Sequence, residues 1–218
     1  MIFDRVLDEL GTAIVRGDLP VGHADSVEGF VARTGASRSI VREATRVLVS
    51  LGMLSAGRRV GLRVLPAEQW DVIDPHVVRW RLDGPDRAVA LAELRALRRA
   101  VEPAAAAAAA RAVASGAHDR SDLEALLASA ERLASAASAA DPAPILPADR
   151  AFHGRLLALS GNAMFARLQR VVERALEERA DVEPDAHDVA LHRTLADAVA
   201  AGDAELAAAA MREIVDRT

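Results

Sequence analysis

Between Ser37 and Gly52 the apolar residues Val41, Ala44, Leu48 and Leu51 recur at steps of three, four and three, which lays one stripe along a helix. Arg38, Arg42 and Arg46 repeat every fourth residue and fall outside that stripe, and Ser37 stands where an N-cap would, leaving further backbone amides free in the first turn. Upstream, Val27, Phe30 and Val31 form a shorter helical face. Thr34-Gly35-Ala36 between the two has the length and glycine content of a turn joining crossing helices. The pattern predicts a helix-turn-helix. Downstream, Met53 to Val64 reads as two short runs around a Gly57-Arg58-Arg59-Val60-Gly61 tip, a β-hairpin wing.

A first helix from Phe3 to Arg16 carries Phe3, Val6, Leu7, Leu10 and Ile14 on one side and stops at Gly17-Asp18-Leu19-Pro20. Residues 1–66 therefore form a winged helix-turn-helix domain. Residues 67–87 read as a linker, yet hold both tryptophans, Trp70 and Trp80, which predicts packing against a domain or a second subunit. From Ala88 the spacing is helical throughout, so residues 88–218 are an all-α domain and the fold class is mainly α. Pro103 should kink or restart the long helix that begins there. Ser121 and Glu124 have capping-box spacing at the start of the next. The Ala-, Ser- and Pro-rich stretch 134–147 reads as a mobile loop, and helices follow near 148–160, 163–180 and 186–201, with a last one after Gly202-Asp203.

Charge sharpens this division. The net charge of −5 is wrong for a nucleic-acid binder as a whole, but residues 1–66 carry nine Arg and seven acids, a net +2, leaving −7 for the remainder. A basic front and an acidic rear fit a DNA-facing module ahead of a regulatory or catalytic one. The absence of cysteine excludes disulfides and thiolate chemistry. No apolar run is long enough to span a membrane and the first residues lack a signal-peptide pattern, so the expectation is a soluble, cytoplasmic protein with no membrane partner.

Three guanidiniums beside a helix N-terminus suit phosphates and guanine edges. Three arginines on a surface helix are also compatible with a merely solvated face, but a turn on one side and a basic wing (Arg58, Arg59, Gly61) on the other point to DNA. In the rear domain, Asp149 and His153 stand four apart on one helical face that Leu156 and Leu157 continue inward. Such a pair is half of a metal site, an acid/base pair, or a hydrogen bond that satisfies a buried histidine. His192, on a face with Val189, Ala196 and Val199, adds a second inward imidazole. Arg98 has Glu102 four residues on, and reads equally as an intrahelical ion pair or as a guanidinium for a ligand carboxylate.

Ile14 to Gly22, then Gly35-Ala36-Ser37-Arg38-x-x-Val41-Arg42-Glu43-Ala44, with Leu48, Gly52 and the glycine-bearing wing, resembles the GntR superfamily of bacterial repressors. The rear is similar to the FCD effector domain of its FadR branch in Leu97-Arg98-x-x-x-Glu102-Pro103, Asp149-x-x-x-His153, Gly161-Asn162, and His192 followed by Gly202-Asp203. Trp70 to Pro75 and Trp80 further resemble members that sense sugar acids such as gluconate or galactonate. The resemblance implies a homodimer on an inverted-repeat operator of double-stranded DNA, contacted by Arg38, Arg42 and the wing. It also implies a small carboxylate effector near Arg98 and Asn162, and a divalent metal (Zn, Ni or Mn) held by Asp149, His153 and His192. Two positions depart from the family pattern. Ile214 replaces a further His, which leaves three protein ligands and open positions for water or a ligand carboxylate. Val27-Glu28 stands where the family commonly has Glu-Arg, an acid in place of a potential phosphate contact.

The expected function is thus a ligand-responsive transcriptional regulator of the repressor type and not an enzyme. Two alternatives stand beside it: a metal-dependent helical-bundle hydrolase using Asp149, His153 and His192, and a DNA-binding protein that has lost effector binding.

Overall fold

A computed structural model of the chain describes residues 1–57, 61–138, 145–177 and 186–217. Two compact units emerge, Met1–Ala90 and Leu91–Thr218.

The first unit is built on α1 (Ile2–Val15), α2 (Val27–Thr34) and α3 (Arg38–Ser50). One side of α1 buries Val6, Leu7, Leu10 and Ile14 in the same core as Phe30, Val41, Ala44 and Leu48, so the predicted stripes meet. Both helices of the helix-turn-helix are capped by serine: Ser26 Oγ accepts from Gly29 N–H at 3.1 Å and Ser37 Oγ from Ile40 N–H at 3.4 Å. Such caps contribute about 1 kcal/mol each. Gly35 ends α2 with φ +64°, a left-handed conformation that a side chain would strain.

The wing forms as the hairpin β2 (Leu54–Gly57) and β3 (Gly61–Val64), paired from Leu54 with Val64 to Gly57 with Gly61. A third strand, β1 (Ala24–Asp25), adds to the other edge of β3, giving the order β1-β3-β2. Gly61 permits this: a Cβ there would stand 2.5 Å from the Asp25 carbonyl oxygen.

Residues 65–82 run closely over this unit. Asp71 N–H donates to Leu51 C=O at 2.8 Å and the Trp70 indole N–H to Leu65 C=O at 3.0 Å. Asp74 caps α4 (Pro75–Leu82), where Pro75 occupies the first turn and needs no hydrogen-bond partner. Trp80 is buried, and its indole N–H donates to Asp8 at 3.1 Å, which also takes Arg79.

The second unit holds helices and no strand among the described residues: α5 (Arg87–Ala114, in this unit from Leu91), α6 (Arg120–Ala137), α7 (Ile145–Leu159), α8 (Ala163–Arg167), α9 (Gln169–Glu177), α10 (Ala186–Ala201) and α11 (Ala204–Asp216). Its main core joins Ala106, Ala109 and Ala110 of α5 to Leu126, Phe152, Leu195, Val199, Met211 and Ile214. A smaller cluster sets Ala105 and Leu157 against Val172 and Leu176. No described helix is long and apolar enough to cross a membrane.

Local expectations differ from this outcome in four places. α5 runs unbroken through Pro103, because one lost backbone hydrogen bond is outweighed by the buried alanines that follow. α6 starts before the expected capping box, with Asp119 at the N-cap and Ser121 already inside. The stretch 134–147 is mostly helical at its ends, since α6 continues to Ala137 to bury Ala136 and α7 opens at Ile145; residues 139–144 lie outside the described residues. The helix expected over 163–180 is divided at Leu168, and its last three positions, like the break expected at 181–185, also lie outside them.

Candidate functional site

On α3 the three arginines stand on the exposed face, opposite the buried Val41, Ala44 and Leu48. Arg38 Nη1 meets Glu28 of α2 at 2.7 Å, and Arg46 Nη1 reaches Glu43 at 3.5 Å. Arg42, between them, makes no ion pair among the described residues. Ser37 is also exposed and spends its hydroxyl on the cap. Gly61 starts the inner wing strand, and Arg58 and Arg59 lie outside the described residues.

In the second unit α7 and α10 bring Asp149, His153 and His192 together, with one ligand-type atom from each lying within 4.8 Å of the others. Helical spacing puts Asp149 and His153 on one face of α7. His192 Nε2 approaches the same Asp149 oxygen at 3.1 Å, and His153 Nε2 lies 3.5 Å from it. Both imidazoles are almost wholly buried, and the Nε2 atom of each has no well-formed hydrogen bond. The Phe152 ring stands near-perpendicular to both, with centroids 5.9 and 5.1 Å away.

The other nitrogen of each ring is committed elsewhere. His192 Nδ1–H donates to the Asp188 carbonyl at 2.7 Å, and His153 Nδ1 is hydrogen-bonded to Glu102 of α5. These bonds set both Nε2 atoms toward Asp149, the outer arrangement that metal-binding histidines use. Two orphaned, converging imidazole nitrogens and one carboxylate fit a divalent ion of the Zn, Ni or Mn class. Ile214, on α11, is buried in the same core cluster as Phe152 and supplies no donor, so a bound ion would keep open positions.

Electrostatics bind the group together. Burial alone would raise the Glu102 carboxyl, but the charges of His153 and Arg98 outweigh it and hold it down at about 2. Burial would likewise lower His153, and the charge of Glu102 with the nearby Asp149 carboxylate instead raises it to about 9. Asp149 is held well below the usual carboxylate range: its burial acts the other way, and the close approach of the His153 and His192 imidazoles prevails. Without a metal, His153 is therefore a cation between two carboxylates.

Arg98, left open between two readings, is buried and ion-paired with Glu102 at 2.5 Å, one residue away from His153 in this chain of contacts. Glu102 is the participant that sequence reasoning missed as part of the centre. In the sequence it stood as the partner of Arg98 and as one residue of the FCD-like motif, because its second bond goes to a residue 51 positions away. Asn162 stands apart: it is exposed, and its side chain caps α8 by accepting from Met164 N–H at 2.9 Å.

Comparison with known proteins bears on both units. Residues 93–217 match the FCD domain. A galactonate operon transcriptional repressor of Escherichia coli (strain K12) is 32% identical over 104 residues, 47% of this chain and 45% of that protein, so the chain spans less than half the length of this relative. A probable D-xylose utilization operon transcriptional repressor of Paenarthrobacter nicotinovorans is 26% identical over 212 residues, 94% of this chain and 82% of that one. Among solved structures, Streptococcus agalactiae GntR superposes with a TM-score of 0.56 at 21% identity, covering 98% of this chain and 97% of that one. Lar, which controls expression of the Listeria monocytogenes agr system, gives 0.63 at 20% identity, covering 100% and 94%. At these identities the structural likeness establishes the fold.

Proposed function

Because the FCD domain makes up more than half of the chain, the protein belongs to the FCD-domain family, and from that premise we propose that it is a GntR-type transcriptional repressor released by a small carboxylate. The relatives are named as transcriptional repressors, which favours a regulator over the hydrolase alternative. In this reading the domain 1–66 binds an operator duplex through Arg38, Arg42, Arg46 and the wing. The linker 67–87 relays the change, and 88–218 senses the effector and dimerises. Two half-site modules related by a two-fold axis would read an inverted repeat.

The observation that carries the proposal is the exposed arginine face of α3 opposite a fully buried stripe. The buried Asp149–His153–His192 group supports the sensing half: a divalent ion there would keep positions for water or an effector carboxylate. Arg98 would take the far end of that effector by yielding part of its hold on Glu102. The relatives are named for galactonate and xylose operons, which favours a sugar-derived acid.

A thermal-shift screen of aldonic acids, each with and without Zn²⁺, Ni²⁺ and Mn²⁺, tests the sensing half, since a bound ligand raises apparent stability by mass action. An acid that stabilises the protein only with metal, and no longer in His192→Ala, is the expected result. No stabilisation by any acid or metal would leave the buried group a structural cluster.

A further inference from the structure

The pair between Arg38 and Glu28 spans the turn of the helix-turn-helix, from the first turn of α2 to the start of α3. Both side chains are largely exposed, 68% and 60%, so the acid lies on the same open surface as the row of arginines. Of that row, Arg42 makes no ion pair among the described residues, Arg46 reaches Glu43 at 3.5 Å, and Arg38 is held more closely, at 2.7 Å, by a carboxylate of its own chain.

We propose that Glu28 is an intramolecular competitor for the phosphate that Arg38 would otherwise take, and so sets the affinity of the chain for DNA. This rests on the DNA-binding reading above. An exposed ion pair is weak enough to exchange, so Glu28 does not block binding. A phosphate must nevertheless displace the acid or accept it alongside, and in either case the contact is discounted. Phosphate contacts carry no sequence information, so the discount applies to every duplex alike. Base contacts from Arg42 then decide a larger share of where the protein stays, which improves the ratio of specific to non-specific binding.

The test is fluorescence anisotropy of the full-length protein on a mixed-sequence duplex across a salt series, which needs no knowledge of the operator. The proteins are wild type, Glu28→Gln, Arg38→Gln, the double variant, and Glu205→Gln, an exposed acid of α11, as a control for net charge. Glu28→Gln should tighten binding by about two- to fivefold, the range an exposed pair supports, and steepen the logarithmic salt slope by up to about 0.9. The same change in the Arg38→Gln background should have no effect, and Glu205→Gln should be silent. Equal tightening in both backgrounds would make Glu28 a general repulsive charge and overturn the proposal. Weaker binding by Glu28→Gln would overturn it in favour of a direct contact. If no variant and no wild-type protein binds any duplex at low salt, the DNA-binding reading itself fails and this inference falls with it.

Discussion

Glu102 and His153, 51 residues apart on α5 and α7, share a buried hydrogen bond that turns the far nitrogen of the imidazole toward Asp149. Glu102→Gln keeps the size of the side chain and removes its charge. Metal affinity should fall by about 10- to 100-fold, the usual cost of losing an outer partner of a metal-binding histidine. Calorimetric titration with Zn²⁺ or Ni²⁺ measures this, and unchanged affinity would remove Glu102 from any role at the centre.

The same pair gives metal binding a pH dependence. His153 holds a proton up to about 9, and a metal on its Nε2 must expel that proton. Affinity should therefore rise toward pH 9, by up to about tenfold per unit from this group, with proton release visible as buffer-dependent heat. In the metal-free protein the sign runs the other way. The raised pKa of His153 contributes stability that is complete below about 6.5 and is lost as pH rises through about 9. Glu102, lowered from 4.5 to about 2, contributes stability present above 4.5 and lost as pH falls through 2. Melting temperatures of metal-free wild type should decline from pH 6.5 to 9, and those of His153→Gln should decline less.

How much of this could be read from the chain beforehand depended on distance along it. The stripe Val41, Ala44, Leu48 and the opposed arginines are local and periodic, so α3 was legible to its caps. Asp149 and His153 share a helical face by spacing alone, and His192 by its own neighbours. Strand β1 was not legible, because two residues show no alternation and their pairing is chosen by β3 across the fold. The division at Leu168 and the early start of α6 were missed where local preference is nearly balanced and packing decides. The double role of Glu102 needed the tertiary structure outright.

Residues 67–82 show the same limit, since composition marked two tryptophans there but not their seats. Trp80 lies where a side chain on Gly11 would be, with three indole atoms 2.6 Å from a Cβ built there. Gly11→Ala should therefore destabilise the first unit by about 1–3 kcal/mol, the common cost of overpacking. Chemical denaturation followed by tryptophan fluorescence checks this. An unchanged midpoint would mean that α4 yields freely and is not firmly seated on α1.

In the proposed function the arginine face of α3 meets DNA, and Arg42 is the residue on which this turns, since neither Glu28 nor Glu43 holds it. The most direct measurement is duplex binding by the full-length protein across a salt series, wild type against Arg42→Ala, first on genomic fragments it selects and then on mixed sequence. The account predicts that log affinity falls linearly with log salt. It also predicts that Arg42→Ala weakens binding to the selected fragment by about 1–3 kcal/mol, with a smaller loss on mixed sequence. Equal binding by both proteins on both duplexes, or no duplex binding by the wild type, would contradict it.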